Sequence, residues 1–257
     1  MTIETTKLCP RKETGTLPIL VTGGGRRLGL AIVKALLGDG HRVITSYRTH
    51  TGVIEELKAL GVHCIQADFT QTQDVMRLTE EVITEYQSGI RGIIHNASDW
   101  VSEENGGEPA ELLSRMWQVH VAAPYQINLA LEGLLVKAQK ALAAPTDIIH
   151  LTDYVAEKGS DKHIAYASSK AGLANLTLSF ASKLAPKVKV NAIAPSLLMF
   201  HPGDDEEYRQ KALNKSILSI EPGEQEGVAA VQYVLSSRYM TGRTLSLDGG
   251  RHLARRG

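Results

Sequence analysis

Short apolar runs alternate with amphipathic stretches along most of the chain, and this alternation predicts the fold. The apolar runs are typical of strands, whereas the stretches between them repeat apolar residues at helical spacing. Residues 30–37 are one such stretch, closed by Gly38 and Gly40. Strands that alternate with helices form a parallel sheet with helices on both faces. The pattern therefore predicts a single α/β domain with a doubly wound parallel sheet.

The predicted elements follow one another without an internal repeat or a domain linker. The predicted strands are residues 17–21, 42–47, 62–66, 90–95, 147–152, 188–193 and 244–247. The predicted helices are residues 30–37, 53–60, 73–86, 110–141, 164–184 and 224–236. Because Pro124 lies inside the fourth helix, we expect two helical pieces or a kink there. Residues 1–16 are predicted to form a flexible N-terminal extension to a domain that spans residues 17–257.

Composition and charge narrow the class of protein. The 257 residues are 43% hydrophobic and 22% charged, with a formal net charge of zero. This composition is ample for a core, and the lack of a long basic run argues against a nucleic-acid partner. No apolar segment reaches the roughly 20 residues of a membrane helix, and residues 1–16 do not resemble a secretory signal. Cys9 and Cys64 lack metal-ligand spacing and indicate free thiols in a cytoplasmic protein.

A glycine-rich turn joins the first predicted strand to the first predicted helix. The sequence there is Thr22-Gly23-Gly24-Gly25-Arg26-Arg27-Leu28-Gly29. Glycines let the backbone approach a pyrophosphate, and the free N–H groups at the start of a helix attract negative charge. An ordinary turn between strand and helix is the alternative. The position of the turn near the N-terminus, before a second strand, favours a dinucleotide site.

The end of the second predicted strand indicates which dinucleotide would bind. Enzymes that use NAD usually have an acidic residue here, which binds the ribose 2′-hydroxyl. This chain instead has Tyr47-Arg48-Thr49-His50, with Arg26 and Arg27 nearby. Cations would favour a 2′-phosphate, so we expect NADPH rather than NADH. A solvated basic loop is the alternative.

Three polar residues near the fifth predicted strand could form a proton-transfer site. Asp153 follows that strand, and Tyr166 and Lys170 lie four residues apart in the next long helix, on one helical face. The ammonium would favour the phenolate. Asp153 could share a proton with Tyr166, orient it, or cap backbone N–H groups. Tyr154 and Lys158 have the same spacing, but their segment does not sustain a helix, so we expect them in a loop.

The order and spacing of these motifs resemble the short-chain dehydrogenase/reductase family over nearly the whole chain. Asp68 after the third strand and Asn96-Ala97 after the fourth complete the match. The resemblance implies a Rossmann-type fold, a nicotinamide cofactor and a homotetramer, with Lys170 bound to the nicotinamide ribose. The implied cofactor-binding residues are Gly23, Arg26, Arg27, Leu28, Tyr47, Arg48, Thr49, His50, Asp68, Phe69, Asn96, Ala97, Ser98, Thr152, Tyr166, Lys170, Pro195, Ser196 and Leu197.

Several departures from the general pattern are similar to the pteridine reductases. Arg27 replaces a glycine of the loop, Ser98 replaces the usual glycine after Asn-Ala, and Asp153 replaces the usual serine. Trp100 would face the nicotinamide, with a flat pterin stacked between them; a Trp that covers core is the alternative. The substrate-binding residues implied by the resemblance are Arg27, Ser98, Trp100, Asp153 and Tyr166. His120 replaces an Asn of the family, and this puts the usual proton-relay water in doubt.

The expected activity is NADPH-dependent reduction of a 7,8-dihydropterin, by hydride transfer to C6 of the N5=C6 imine. Tyr166, Asp153 or a water that they hold would protonate N5. The resemblance is strongest to a bacterial branch that acts on dihydromonapterin and also on dihydrofolate. A short-chain reductase of another carbonyl or alcohol and a non-catalytic NADP(H) sensor are the alternatives.

Residues 196–223 form a long excursion where this family builds a substrate lid. Within it lies the acidic run Asp204-Asp205-Glu206-Glu207. This run is either a solvated helix start or part of the cleft mouth. At the mouth it would repel the glutamate tail of dihydrofolate and favour the neutral side chain of monapterin.

Overall fold

The computed structural model describes residues 17–254, and the strands in this part of the chain form one parallel sheet. They are β1 (Ile19–Val21), β2 (Val43–Tyr47), β3 (His63–Gln66), β4 (Gly92–His95), β5 (Thr146–Leu151), β6 (Val188–Pro195) and β7 (Thr244–Leu247). The strand order is β3-β2-β1-β4-β5-β6-β7, and every neighbouring pair is parallel. The direction of winding reverses between β1 and β4, where such sheets open a crevice at their carboxyl ends. The predicted doubly wound sheet is confirmed.

Helices pack on both faces of this sheet. They are α1 (Arg27–Gly38), α2 (Gly52–Ala59), α3 (Thr72–Glu85), α4 (Pro109–Trp117), α5 (Ala123–Leu142), α6 (Val155–Lys158), α7 (Ile164–Leu184), α8 (Glu206–Leu213) and α9 (Glu224–Ser236). Leu20 and Ile148 belong to one core cluster with residues of α3, α5 and α7. Their neighbours Val21 and Ile149 belong to the other, with residues of α1 and α9. Successive strand residues thus point to opposite faces, and both faces are buried.

The long apolar stretch around Pro124 forms two helices, joined by a π-helical turn at Gln118–Ala122. The predicted break is confirmed, but it precedes the proline. Pro124 lies in the first turn of α5, directly after the π-helical turn. The π-helical turn contains His120, which is almost fully buried.

Two short elements of the structure were not predicted from sequence, α6 and a 3₁₀ helix at Arg251–Leu253, whereas α8 begins at the acidic run, as one of the two alternatives for that run predicts. The expectation that Lys158 lies in a loop is wrong, because residues 155–158 form one helical turn before Gly159, whose φ is +74°. Residues 1–16, including the expected N-terminal extension and Cys9, lie outside the described residues, as do residues 255–257. In the described part of the chain, no helix has the length and apolar character needed to span a membrane.

His95 of β4 and His150 of β5 are buried in one hydrogen-bond chain. Nε2 of His95 donates to Oδ1 of Asn128 at 2.8 Å, and Nδ2 of Asn128 donates to Nε2 of His150 at 3.2 Å. Nδ1 of His150 therefore carries the proton and donates to Oγ1 of Thr177 at 2.8 Å. Burial lowers the pKa of His95 to about 4 and the pKa of His150 well below its ordinary value. Both rings are neutral in the fold.

We predict that these histidines make the fold unstable in acid. His95, His120 and His150 stay neutral when folded, whereas in the unfolded chain they take up protons near pH 6.5. Their stabilising contribution is complete above that pH and is lost as the pH falls towards the folded pKa values, by up to about 4 kcal/mol per pH unit for three groups. Urea unfolding between about pH 7 and about pH 5 measures this slope. A free energy of unfolding that stayed constant over this range would contradict the prediction.

Candidate active site

The glycine turn between β1 and α1 is packed so closely that side chains would not fit there. A Cβ at Gly29 would lie 2.2 Å from the carbonyl oxygen of Gly23, and one at Gly24 would lie 2.1 Å from Oγ1 of Thr45. Nδ2 of Asn96 holds the turn by donating to two of its carbonyl oxygens, at 3.0 and 3.1 Å. Helix α1 begins without a side-chain cap and without an acidic residue in its first turn. Its first N–H groups therefore fit a pyrophosphate.

Arg27 links this turn to the lid. Its φ is +48°, in the left-handed region where glycine is the usual residue. One guanidinium nitrogen lies 2.9 Å from Nδ1 of His201, and the other donates to the carbonyl oxygen of Met199 at 3.1 Å. We expected Arg27 to bridge cofactor and pterin; in the structure it lines the cleft but its guanidinium contacts the lid.

Tyr166 and Asp153 are joined by a hydrogen bond in the wall of the cleft. The Tyr166 hydroxyl donates to Oδ2 of Asp153 at 2.9 Å, and Oδ1 accepts from the N–H group of Val155 at 2.9 Å. Asp153 thus both contacts the phenol and caps the backbone. Burial raises the pKa of Asp153. Burial and the neighbouring carboxylate raise the pKa of Tyr166 well above its ordinary value.

Lys170 lies behind Tyr166 and does not line the cleft. Only 2% of the residue is exposed, and Nζ donates to the carbonyl oxygen of Leu151 at 2.8 Å. Burial lowers the pKa of this ammonium to about 8, an effect that Asp153 partly offsets. We expected Lys170 to favour the Tyr166 phenolate. The pKa of Tyr166 moves the other way, because burial and the carboxylate both favour the neutral phenol.

His120 connects Ser98 to helix α7. Its Nε2 accepts from the Ser98 hydroxyl at 2.9 Å and from the N–H group of Asp99 at 3.2 Å. Nδ1 therefore carries the proton and donates to the Ser169 hydroxyl at 2.8 Å, which in turn donates to the carbonyl oxygen of Tyr166 at 2.7 Å. Burial lowers the pKa of His120 well below its ordinary value. The neutral ring thus positions Ser98 and the helical turn that carries Tyr166.

Trp100 stacks on His163, a residue that no sequence motif marked. The ring centroids are 4.3 Å apart and the planes differ by 15°. Trp100 is 57% exposed, so it does not cover the core, and both rings line the cleft. His163 lies three residues before Tyr166, and this spacing was the one local signal that could have identified it.

The cleft that these residues line has a volume of about 1920 Å³. This exceeds the roughly 300–1,000 Å³ of a pocket for one small ligand and fits a dinucleotide beside a substrate. The predicted site residues that line it are Gly23, Arg26, Arg27, Leu28, Tyr47, Arg48, Thr49, Asp68, Phe69, Asn96, Ala97, Ser98, Trp100, Asp153, Tyr166, Ser196 and Leu197.

Three other predicted cofactor contacts are not in this lining. Nε2 of His50 is paired with Oε1 of Glu55 at 2.8 Å. Thr152 is buried, and its hydroxyl donates to a backbone carbonyl oxygen of β6 at 3.1 Å. Pro195 ends β6, in register with Leu247 of β7. Together with Lys170, these residues lie behind or beside the cleft wall.

Arg48 lies in the cleft wall at the end of β2, with 46% of its side chain exposed. Its nearest carboxylate is Asp99, whose Oδ2 lies 3.8 Å away. Asp99 already accepts from Nε of Arg115 at 2.7 Å. Because an ion pair at 3.8 Å with a half-exposed arginine contributes little, Arg48 can turn to a phosphate, with Arg26 and Thr49 in the same cleft.

Comparison with known proteins identifies the family. A family model described as enoyl-(acyl carrier protein) reductase matches residues 25–252. The chain belongs to the short-chain dehydrogenase/reductase family. It is 54% identical to the dihydromonapterin reductase of Escherichia coli K12 over 241 residues, which cover 94% of this chain and 99% of the relative. The dihydromonapterin reductase of Shigella flexneri is 53% identical over the same shares of both chains.

Solved structures of short-chain dehydrogenases/reductases share the fold. FolM alternative dihydrofolate reductase 1 from Brucella canis, complexed with NADP, is 28% identical with a TM-score of 0.82. The match covers 95% of this chain and 96% of that one. An apo SCOR enzyme from Clostridium thermocellum also reaches a TM-score of 0.82, over 94% and 95% of the two chains. At 21% identity, the second likeness supports the fold alone.

Two further residues of this short-chain dehydrogenase/reductase line the cleft, Tyr154 and Arg251. The guanidinium of Arg251 donates to the Ser196 hydroxyl at 2.8 Å and lies 4.7 Å from the centre of the Tyr154 ring. Gly249 and Gly250, both with positive φ, form the turn that precedes Arg251. Because its contacts with Ser196 and Tyr154 depend on the tertiary path of the chain, the sequence alone did not predict them.

Proposed function

We propose that this enzyme uses NADPH to reduce 7,8-dihydromonapterin to 5,6,7,8-tetrahydromonapterin, and that it also reduces dihydrofolate as a second substrate. The observation that carries the proposal is the Tyr166–Asp153 hydrogen bond of 2.9 Å in a cleft that also presents the stacked ring of Trp100. The names of the 54% identical relative and of the Brucella structure support it.

Tyr166 and Asp153 would supply the proton that the reaction needs at N5. Bound NADPH would provide the hydride for C6. A buried phenol with a raised pKa keeps its proton until N5 becomes strongly basic, and then donates it over a short distance. Asp153 can return a proton to the phenol through their hydrogen bond, so the two groups titrate as one unit. Asp153 lines the cleft, where it can exchange protons with solvent.

The residues of the cleft also explain the proposed choice of NADPH. The glycine turn and the start of α1 would hold the pyrophosphate, and Arg48 with Arg26 would hold the 2′-phosphate. We expect kcat/KM to be higher with NADPH than with NADH, and Arg48→Met to lower this ratio by about tenfold. A wild-type ratio near or below one would contradict this assignment.

We predict that kcat/KM falls as the pH rises through about 8, the pKa to which burial brings Lys170. Below that pH the ammonium is charged and favours the Asp153 carboxylate. Above it, the charge is lost. Lys170→Arg keeps a cation at every accessible pH, so its residual activity should not show this decline. The same decline in the variant would assign it to another group.

A substrate comparison tests the proposed function against its alternatives. NADPH oxidation is measured with dihydromonapterin, dihydrofolate and a simple ketone. We expect the highest kcat/KM with dihydromonapterin. Turnover of the ketone alone would indicate a reductase of another carbonyl substrate, and NADPH binding without any turnover would indicate a sensor. Asp153 and Trp100 favour the pterin, because neither alternative gives these two residues a shared purpose.

We also propose a cytoplasmic homotetramer that supplies reduced pterin or folate to one-carbon metabolism. Family resemblance alone supports these points. Light scattering coupled to size-exclusion chromatography measures the assembly, and a monomer would contradict that part of the proposal.

A further inference from the structure

Besides the arginines near the glycine turn and β2, four basic side chains line the same cleft as Asp153 and Tyr166: Lys158, Lys162, Lys215 and Arg251. We call them the basic wall. They come from four separate segments, namely the end of α6, the loop before α7, the lid after α8, and the C-terminal 3₁₀ helix. Among residues 17–254, no carboxylate forms an ion pair with any of the four.

Arg251 and Lys162 are close enough to Lys215 to repel its charge. Burial lowers the pKa of Lys215, and the charges of Arg251 and Lys162 lower it further, while Asp161 partly offsets them. Asp153, in the same cleft, is already hydrogen-bonded to the backbone and to the phenol of Tyr166. Like charges gathered in a cleft without partners are unfavourable, and an anion between them would remove the repulsion.

The side chain of Arg251 is fixed in position and has hydrogen-bond donors left for such an anion. Its side chain donates one hydrogen bond, to Ser196, and its guanidinium lies over the ring of Tyr154. A guanidinium has five N–H donors, so donors remain for a carboxylate or a phosphate. Because the stacking contact and the Ser196 contact fix its position, little side-chain freedom is lost on binding.

We propose that the basic wall binds an anionic group, a carboxylate or a phosphate, on the side chain of the substrate. This inference rests on the proposed function, since it places the pterin ring beside Tyr166 and Trp100. The anionic group would then lie towards Lys162, Lys215 and Arg251.

The acidic run of the lid does not oppose this assignment. Asp205 caps α8 by accepting from the N–H group of Tyr208 at 2.7 Å, and Glu207 pairs with Lys211 at 2.6 Å. Asp204 is the one member of the run that lines the cleft, and its carboxylate accepts a backbone N–H group at 2.8 Å. Asp205, Glu206 and Glu207 are thus a solvated helix start, as in the first of the two alternatives, and Asp204 is the one carboxylate of the run in the cleft lining.

The test compares substrates that differ in side-chain charge. Dihydromonapterin, its phosphate monoester and dihydrofolate are reduced by the wild type and by Lys162→Met/Lys215→Met. We expect the ratio of kcat/KM for the anionic substrate to that for dihydromonapterin to fall by about tenfold in the variant. Lys215→Arg should keep the ratio. Lys211→Met is the matched control, because it removes a lysine of α8 that pairs with Glu207 outside the cleft.

Each outcome decides the inference. A fall with dihydrofolate assigns the basic wall to carboxylates, a fall with the monoester assigns it to phosphate, and a fall with both assigns it to either anion. Ratios equal to those of the wild type for both anionic substrates would overturn it. Calorimetric titration of the same variants with dihydrofolate and with the monoester measures the affinity of the basic wall for the anionic group without turnover. A failure of the proposed function, seen as no reduction of dihydromonapterin by the wild type, is thereby separated from a failure of the inference.

Discussion

Replacing Tyr166 by Phe is expected to lower kcat by about a thousandfold, since a positioned general acid contributes roughly 10²–10⁴. The hydroxyl that this change removes is the proposed proton donor of the cleft and the partner of Asp153 at 2.9 Å. The ring itself would stay. It packs against Leu112 and Met116 and lies edge-on to His120 at 5.3 Å, so the fold and the NADPH affinity should be little changed.

Single-turnover rates, NADPH titration and thermal unfolding measure these three properties of Tyr166→Phe. Tyr154→Phe is the matched control, because Tyr154 has the same spacing to a lysine and lines the same cleft, but its hydroxyl makes no contact with Asp153. We expect it to lower kcat far less. An equal fall in kcat in the two variants would contradict the assignment of Tyr166 as the proton donor.

Replacing Asp153 by Asn should lower kcat by about a hundredfold, at the lower end of the range for acid–base groups. Asp153 accepts with both oxygens, from Tyr166 and from the N–H group of Val155. An amide has one oxygen, so one of these contacts is lost, and it cannot return a proton to the phenol.

The pH profile of kcat separates a proton role of Asp153 from a structural one. Burial raises the pKa of Asp153. The pH profile of kcat for the wild type should therefore change with the ionisation of this carboxyl, above its ordinary pKa. Asp153→Asn should not show this pH-dependent change in kcat at any substrate concentration. Full kcat of the variant across the whole profile would exclude Asp153 from proton transfer.

The strands, the main helices and the placement of Tyr166 and Lys170 on one helix could be predicted from sequence, because their signals are local. Apolar periodicity marks both faces of a buried parallel sheet, and the four-residue spacing of Tyr166 and Lys170 places them on one helical face. The glycine turn was equally readable, since Gly24 and Gly29 leave no room for a Cβ. The apolar periodicity and the four-residue spacing depend on neighbours within a few residues, whereas the lack of room at Gly24 depends on Thr45 in β2.

The features that could not be predicted depend on segments far apart in the chain. Arg251 reaches Ser196 across 55 positions, and Arg27 reaches His201 across 174 positions. The direction of the Tyr166 pKa depends on how deeply the fold buries the phenol, and no motif records that. The basic wall could not be predicted either, because its four cations come from four separate segments of the chain.

Transfer of a labelled hydride tests the central claim most directly. Wild-type enzyme is supplied with NADPH that carries deuterium at the transferable C4 position, and with 7,8-dihydromonapterin. We predict that the product is tetrahydromonapterin with deuterium at C6 and a solvent-derived hydrogen at N5, and that Tyr166→Phe forms it at about a thousandth of the rate. Oxidation of the labelled cofactor without deuterium at C6, or no reduction of the pterin at all, would contradict the proposed function.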